Sequence, residues 1–127
     1  MKKIIYTPNA PEPIGPYSQA VQVGNTYYFS GQIALDPQSG ELKLSTLNEE
    51  TRQVMANIGA LLESEGMTFE NIVKTSIFLK NMGSFAEINE IYGEYFSDNY
   101  PARETVEVAR LPKDVHVEIS VIAVKNA

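Results

Sequence analysis

The chain contains no cysteine and a single histidine among its 127 residues. The first absence removes disulfides and thiolate nucleophiles. Together the two leave too few ligands for a transition-metal centre, which draws on several His, Cys or carboxylate groups. Cations are also scarce. Lys and Arg number 10 against 16 Asp and Glu, for a formal net charge of −6. A surface that grips phosphates is normally basic, so this balance argues against a nucleic-acid partner, although it leaves room for a local basic cleft. No apolar run approaches the ~20 residues of a membrane helix. The N-terminal Lys2 and Lys3 are followed by Ile4-Ile5-Tyr6-Thr7-Pro8, not by the long apolar core of a signal peptide. The expectation is a cytoplasmic protein with no membrane association.

What is present is ordinary for a soluble protein: 43% hydrophobic and 20% charged residues. The length is that of one domain, residues 1–127, able to build a core without staples. No internal repeat, linker or low-complexity segment interrupts it. Ile4 to Tyr6 reads as a short strand. Pro8, Pro11, Pro13 and Pro16 then impose an ordered, irregular segment leading to Tyr17. Residues 19–23 and 26–31 read as a hairpin around Gly24-Asn25. Gly31, at its end, supplies either a bend or a place where a ligand can approach the backbone. Thr46 and Glu49 have capping-box spacing and open a helix whose core stripe is Leu47, Val54, Ile58, Leu61 and Leu62, with Gly66 to end it. Residues 72–80 form a strand with Val73, Thr75, Ile77 and Leu79 on one face. A second helix starts near Ser84, with Glu87 at capping-box spacing and Phe85, Ile88, Tyr92, Tyr95 and Phe96 along one side. Gly93 inside it costs about 1 kcal/mol relative to alanine, which packing has to offset. Pro101 blocks continuation.

The last third carries the chemistry. From Val115 the chain alternates, with Val117, Ile119, Val121 and Ala123 on one face and His116, Glu118, Ser120, Ile122 and Val124 on the other. The second face starts polar and ends apolar, as expected of a partly covered surface with a polar site at one end. A carboxylate such as Glu118 needs water or a partner there. Arg103, just after Pro101-Ala102, is either a solvated surface cation or a planar clamp for a carboxylate. The order β-β-β-α-β-α-β-β suggests an α+β sandwich with both helices on one face of a mixed sheet. The other face, with Phe78, Ile122 and Val124, is then left uncovered and predicts self-association.

The segments Pro101-Ala102-Arg103, Val106 to Asp114 and Val117-Glu118-Ile119 strongly resemble the C-terminal motif of the Rid/YjgF family of reactive-intermediate deaminases. The resemblance extends through Ile14 to Val21, Ser30-Gly31-Gln32-Ile33, Asp36-Pro37, Val73-Lys74-Thr75 and Phe85-Ala86 with Asn89. It implies a chorismate-mutase-like fold assembled as a homotrimer, with ligand clefts between subunits. It implies hydrolysis of 2-aminoacrylate, 2-aminocrotonate and their imine tautomers to 2-keto acids and ammonia. An imine is already electrophilic, so neither a cofactor nor a metal is called for. In this reading Arg103 clamps the substrate carboxylate, Glu118 moves protons or orients water, and Thr105 holds the water. Tyr17, Ser30, the Gly31 backbone and Asn89 shape the pocket.

Three positions depart from the family pattern. Glu104 stands where a small residue, often serine, is usual, and it threatens to pair with Arg103 unless strand alternation turns it away. Thr105 replaces a frequent cysteine and Ser120 a common glutamate. The alternatives are a non-catalytic trimeric module that binds small carboxylates or regulatory partners, and a ribonuclease. The acidic charge and the lone His116 weigh against the ribonuclease.

Overall fold

In the computed structural model, which describes residues 1–126, one mixed six-stranded sheet carries two helices on one face. The strands are β1 (Lys3–Ile5), β2 (Ala20–Val23), β3 (Thr26–Phe29), β4 (Ile72–Leu79), β5 (Ala102–Glu107) and β6 (Val117–Val124). The helices are α1 (Leu47–Ser64), between β3 and β4, and α2 (Phe85–Gly93), between β4 and β5. The spatial order is β1-β2-β3-β6-β4-β5. β5 pairs parallel with β4 and leaves its far edge open, whereas the other neighbours are antiparallel. The expected element order is observed, and β5 is the edge that presents Arg103.

α1 forms where its caps and its stripe agree. The Thr46 side chain accepts from the Glu49 backbone N–H, satisfying one orphan donor of the first turn. The box is half formed, because the Glu49 carboxylate accepts from Ser45 Oγ at 2.8 Å. At the other end the Gly66 N–H donates to Glu63 O and the Met67 N–H to Leu62 O. That is a Schellman closure, and it requires the left-handed φ of 73° that Gly66 adopts. Val54, Met55, Ile58, Leu61 and Leu62 are buried against β6 residues Val117, Ile119, Val121 and Ala123. Each such side chain contributes about 1.5–3 kcal/mol.

One buried carboxylate fixes α1 to the start of β6. Glu50 is fully buried, and its Oε2 accepts from the backbone N–H groups of His116 and Val117 at 2.7 and 3.2 Å. Its Oε1 lies 2.7 Å from His116 Nδ1. Just before this point the chain turns through Pro112–Asp114, where Lys113 and Asp114 hold left-handed φ values of 55 and 57°. Arg110 donates from Nε and a terminal nitrogen to the two Asp114 carboxylate oxygens across that turn.

Three local expectations are corrected. Val73 does not share the core face. A bulge between Ile72 and Lys74 shifts the pairing with β6, so Ile72 is buried and Val73 is exposed. Ser84 makes no side-chain cap for α2. A 3-10 turn over Met82–Ser84 precedes the helix, and Asn81 caps that turn by accepting from the Gly83 N–H. Ile88 and Tyr92 of the expected stripe are buried, but the helix stops at Gly93 instead of running through it, and Phe96 is buried from the segment just beyond the helix end.

The sheet face away from the helices stays open. Phe78, Ser120, Ile122 and Val124 are half-buried, while Tyr28 and Val106 are 46% and 43% exposed. Glu104 lies on this side. Its carboxylate accepts from Ser76 Oγ at 2.6 Å and pairs with Lys74 Nζ at 3.1 Å. Those two contacts hold its pKa below the ordinary carboxylate value, the Ser76 hydrogen bond first. Alternation therefore turns Glu104 away from Arg103.

Candidate active site

Arg103 is built into place by one face of α2. Phe85, Asn89 and Tyr92 recur at helical spacing and so stack along a single stripe. The guanidinium carbon sits 5.5 Å from the Phe85 ring centre and 5.2 Å from that of Tyr92. One terminal nitrogen donates to Asn89 Oδ1 at 2.7 Å. Tyr92 in turn donates to Thr75 Oγ1 at 2.9 Å in the buried layer below. Burial raises the Tyr92 phenol above its ordinary pKa, so it stays a neutral donor. The result is a cation on an aromatic shelf, a geometry that suits arginine better than lysine. Among the described residues the Arg103 guanidinium has no carboxylate partner. It opens on a cleft of about 420 Å³ lined by Asn89, Tyr92, Gly93, Tyr100, Pro101 and Arg103.

Thr105 lies two residues further along β5, on the same sheet face, because Arg103 pairs with Thr75 and Thr105 with Ile77. Its Oγ1 is buried with no hydrogen-bond partner among the described residues. A buried hydroxyl in that condition is costly and calls for a water or a ligand atom.

Glu118 belongs to the opposite face. It pairs with Phe78, which also pairs with Val106, on the open side of the sheet. Burial raises its pKa above the ordinary carboxylate value, and no charge or hydrogen bond contributes. Gly31 presses against it. A Cβ built on Gly31 would lie 2.9 Å from Glu118 Cδ and 3.0 Å from Oε2. The glycine is therefore explained by the neighbouring carboxylate, which neither earlier reading of Gly31 anticipated. Gln32 bridges to Ile119 and holds the two segments side by side. Ser30 donates to Ser18 O at 2.6 Å, and the exposed Tyr17 lines a recess with Ser30 and a smaller one with Gly31.

The seven expected site residues thus fall into two groups. Arg103, Asn89 and Thr105 gather at the β5 edge on the helix side. Tyr17, Ser30, Gly31 and Glu118 gather on the open side. Within one chain the sheet stands between them. The shelf residues Phe85 and Tyr92 read as plain core from the sequence. Their spacing with Asn89 was the available signal for more.

A family model described as Endoribonuclease L-PSP matches residues 7–125. A RutC family protein of Pyrococcus horikoshii is 50% identical over 126 residues, covering 99% of this chain and 100% of the relative. A mouse protein named 2-iminobutanoate/2-iminopropanoate deaminase is 48% identical over 126 residues, covering 99% of this chain and 93% of its own. Among solved structures, the Rid-family protein YyfA of Yersinia pestis is 47% identical, with a TM-score of 0.95, over 98% of this chain and 100% of its own. Similarity of this extent, end to end and in fold, leads to one conclusion: the chain belongs to the Rid/YjgF family.

Proposed function

We propose that the protein hydrolyses small 2-imino acids, the tautomers of 2-aminoacrylate and 2-aminocrotonate, to 2-keto acids and ammonia. The observation that carries this reading is Arg103, an oriented guanidinium without a carboxylate of its own at the mouth of a cleft. A substrate carboxylate is the natural complement to it. Water adds to C2 of the imine, the C–N bond breaks, and ammonia leaves; no electrons are exchanged with the protein. Glu118 is suited to the proton transfers because burial moves its pKa toward neutrality. The unpartnered Thr105 hydroxyl is suited to hold the attacking water. Confining water and imine together supplies much of the remaining acceleration. The name of the mouse relative supports the same chemistry.

The two groups of residues lie on opposite faces of one sheet, so joint action requires a second copy. We infer a homotrimer with its clefts at the subunit seams. The open sheet face supplies a surface to bury, with Tyr28, Phe78, Val106 and Ile122 on it. Light scattering at micromolar concentration checks this, and a monomer-sized species refutes it. The chemistry is tested by generating 2-aminoacrylate with a serine dehydratase and following imine absorbance. The wild type should accelerate its decay. Arg103→Ala should lose about 100-fold in kcat/KM, the worth of one to two charge-assisted hydrogen bonds. Near-normal activity in that variant removes the clamp.

A further inference from the structure

Phe85, Asn89 and Tyr92, the side chains that brace Arg103, all stand on α2, yet little in that helix holds it in place by itself. It has nine residues, short of the ~12–15 at which an isolated helix is even marginal, and no side chain caps its N-terminus. The ion pair that ties its far end to α1, Arg52 with Glu94, is exposed and contributes little. Burial of Ile88, Ile91 and Tyr92 anchors the helix. Apolar packing alone secures a fold before it secures one exact side-chain arrangement.

One buried hydrogen bond supplies that exactness. Tyr92 donates its hydroxyl to Thr75 Oγ1 at 2.9 Å, and both residues are buried. Thr75 stands beside Arg103 in the parallel register of β4 and β5. The row that presents the guanidinium therefore also ties down the ring beneath it, whose centre lies 5.2 Å from the guanidinium carbon. The core does not call for this hydroxyl. Ile77 and Leu79, next along the same face of β4, are plain hydrocarbon, and valine has the branched shape of threonine. Among the described residues the Thr75 hydroxyl has no hydrogen-bond partner except Tyr92. Replacing both members of such a pair by apolar groups of the same shape is nearly neutral for stability. What the pair adds is a fixed orientation.

We propose that Thr75 is a positioning residue: through the Tyr92 hydroxyl it sets the ring that supports Arg103, and with it the affinity of the guanidinium for a small carboxylate. An arginine that swings off this support keeps its charge but loses the alignment that two parallel hydrogen bonds to a carboxylate demand. The inference rests on the functional reading above for what the clamp serves in turnover, and on the contacts among β4, α2 and β5 for binding.

The test sets pyruvate affinity, by calorimetry, against thermal melts for Thr75→Val, Tyr92→Phe, the two combined, and Thr75→Ser. Thr75→Val strands the buried Tyr92 hydroxyl, so it should both melt lower and bind pyruvate about tenfold more weakly. The double variant removes both hydroxyls and keeps the packing. Its melt should return close to that of wild type while its affinity stays about tenfold down, a split that a merely structural role does not produce. Thr75→Ser keeps the hydroxyl and should bind within about threefold of wild type. In turnover of 2-aminoacrylate the double variant should raise KM and leave kcat within about threefold, because a carboxylate clamp acts equally before and at the transition state. A double variant that binds pyruvate within threefold of wild type overturns the proposal, as does one that fails to fold, since the hydroxyls then serve the fold. Thr75→Ser as weak as Thr75→Val overturns it too. If wild type binds pyruvate but hydrolyses no imine, the functional reading falls and the same affinities still decide the role of Thr75. If wild type binds no pyruvate, both fall.

Discussion

Gly31→Ala isolates the placement of Glu118 from the presence of its carboxylate. The backbone at Gly31 is not in the left-handed region, so alanine meets no conformational strain. The added Cβ would sit 2.9 Å from Glu118 Cδ, 3.0 Å from Oε2 and 3.1 Å from Cγ. Ordinary contact needs about 3.4–4 Å, so the carboxylate has to withdraw by roughly 0.5–1 Å. It is the far end of a flexible side chain on a half-open face, and it can rotate away at small energetic cost. Stability should therefore change by less than about 1 kcal/mol. Activity should not be spared, because a 1 Å misplacement of a reacting group costs about 100-fold. The assay pair is a thermal melt by circular dichroism and kcat from the decay of 2-aminoacrylate. A near-native melt with a kcat loss of about 30–100-fold is the expected result. Full activity in Gly31→Ala would refute the idea that Glu118 acts from where Gly31 lets it stand.

Glu118→Gln should trade activity for stability. The folded-state pKa of Glu118 is raised by burial, so the folded chain binds the proton more tightly than the unfolded chain. Its contribution to stability falls as pH climbs from the unfolded carboxylate value, about 4.3, through the raised folded value. Glutamine has no such loss. The stability gap in favour of the variant should open with rising pH and level off below about 1 kcal/mol, since solvent screens a half-buried group. Chemical denaturation across that pH window checks it, and a gap that narrows with pH contradicts it. The same variant should lose about 10²–10⁴-fold in kcat. Glu50→Ala should destabilise by about 2–4 kcal/mol, because the His116 and Val117 N–H groups lose their acceptor. A denaturation midpoint equal to that of wild type would show that water replaces the carboxylate.

Much of this is legible in the sequence. The hydrophobic periods of α1 and β6 are clean because each element buries one face, and the Thr46 cap and Gly66 closure mark the ends of α1. The strand parity that places Glu118 opposite Ile119 also turns Glu104 away from Arg103, so the most worrying substitution settles onto Lys74 and Ser76. Other features were not legible, for physical reasons. Val73 fits the alternation of β4 perfectly, and only the pairing partner imposes the bulge that expels it. Glu50 looks like any acidic residue in a first helical turn; its burial depends on a strand 66 residues away. Gly31 promised a bend or a ligand, whereas its neighbour is a side chain distant in sequence. The split of the site between two sheet faces follows from the register, which sets Arg103 beside Thr75 on the helix side and Glu118 beside Phe78 on the open side, a long-range fact that no local pattern encodes.

Subunit mixing tests that split most directly. Arg103→Ala and Glu118→Gln, each inactive alone, are co-expressed and the mixed oligomers purified. If a working site takes residue 103 from one chain and residue 118 from its neighbour, random assembly rebuilds intact sites at about one quarter of the seams. Recovery of about one quarter of wild-type activity is the expected result. Mixed oligomers that form but stay as inactive as their parents would contradict the shared site.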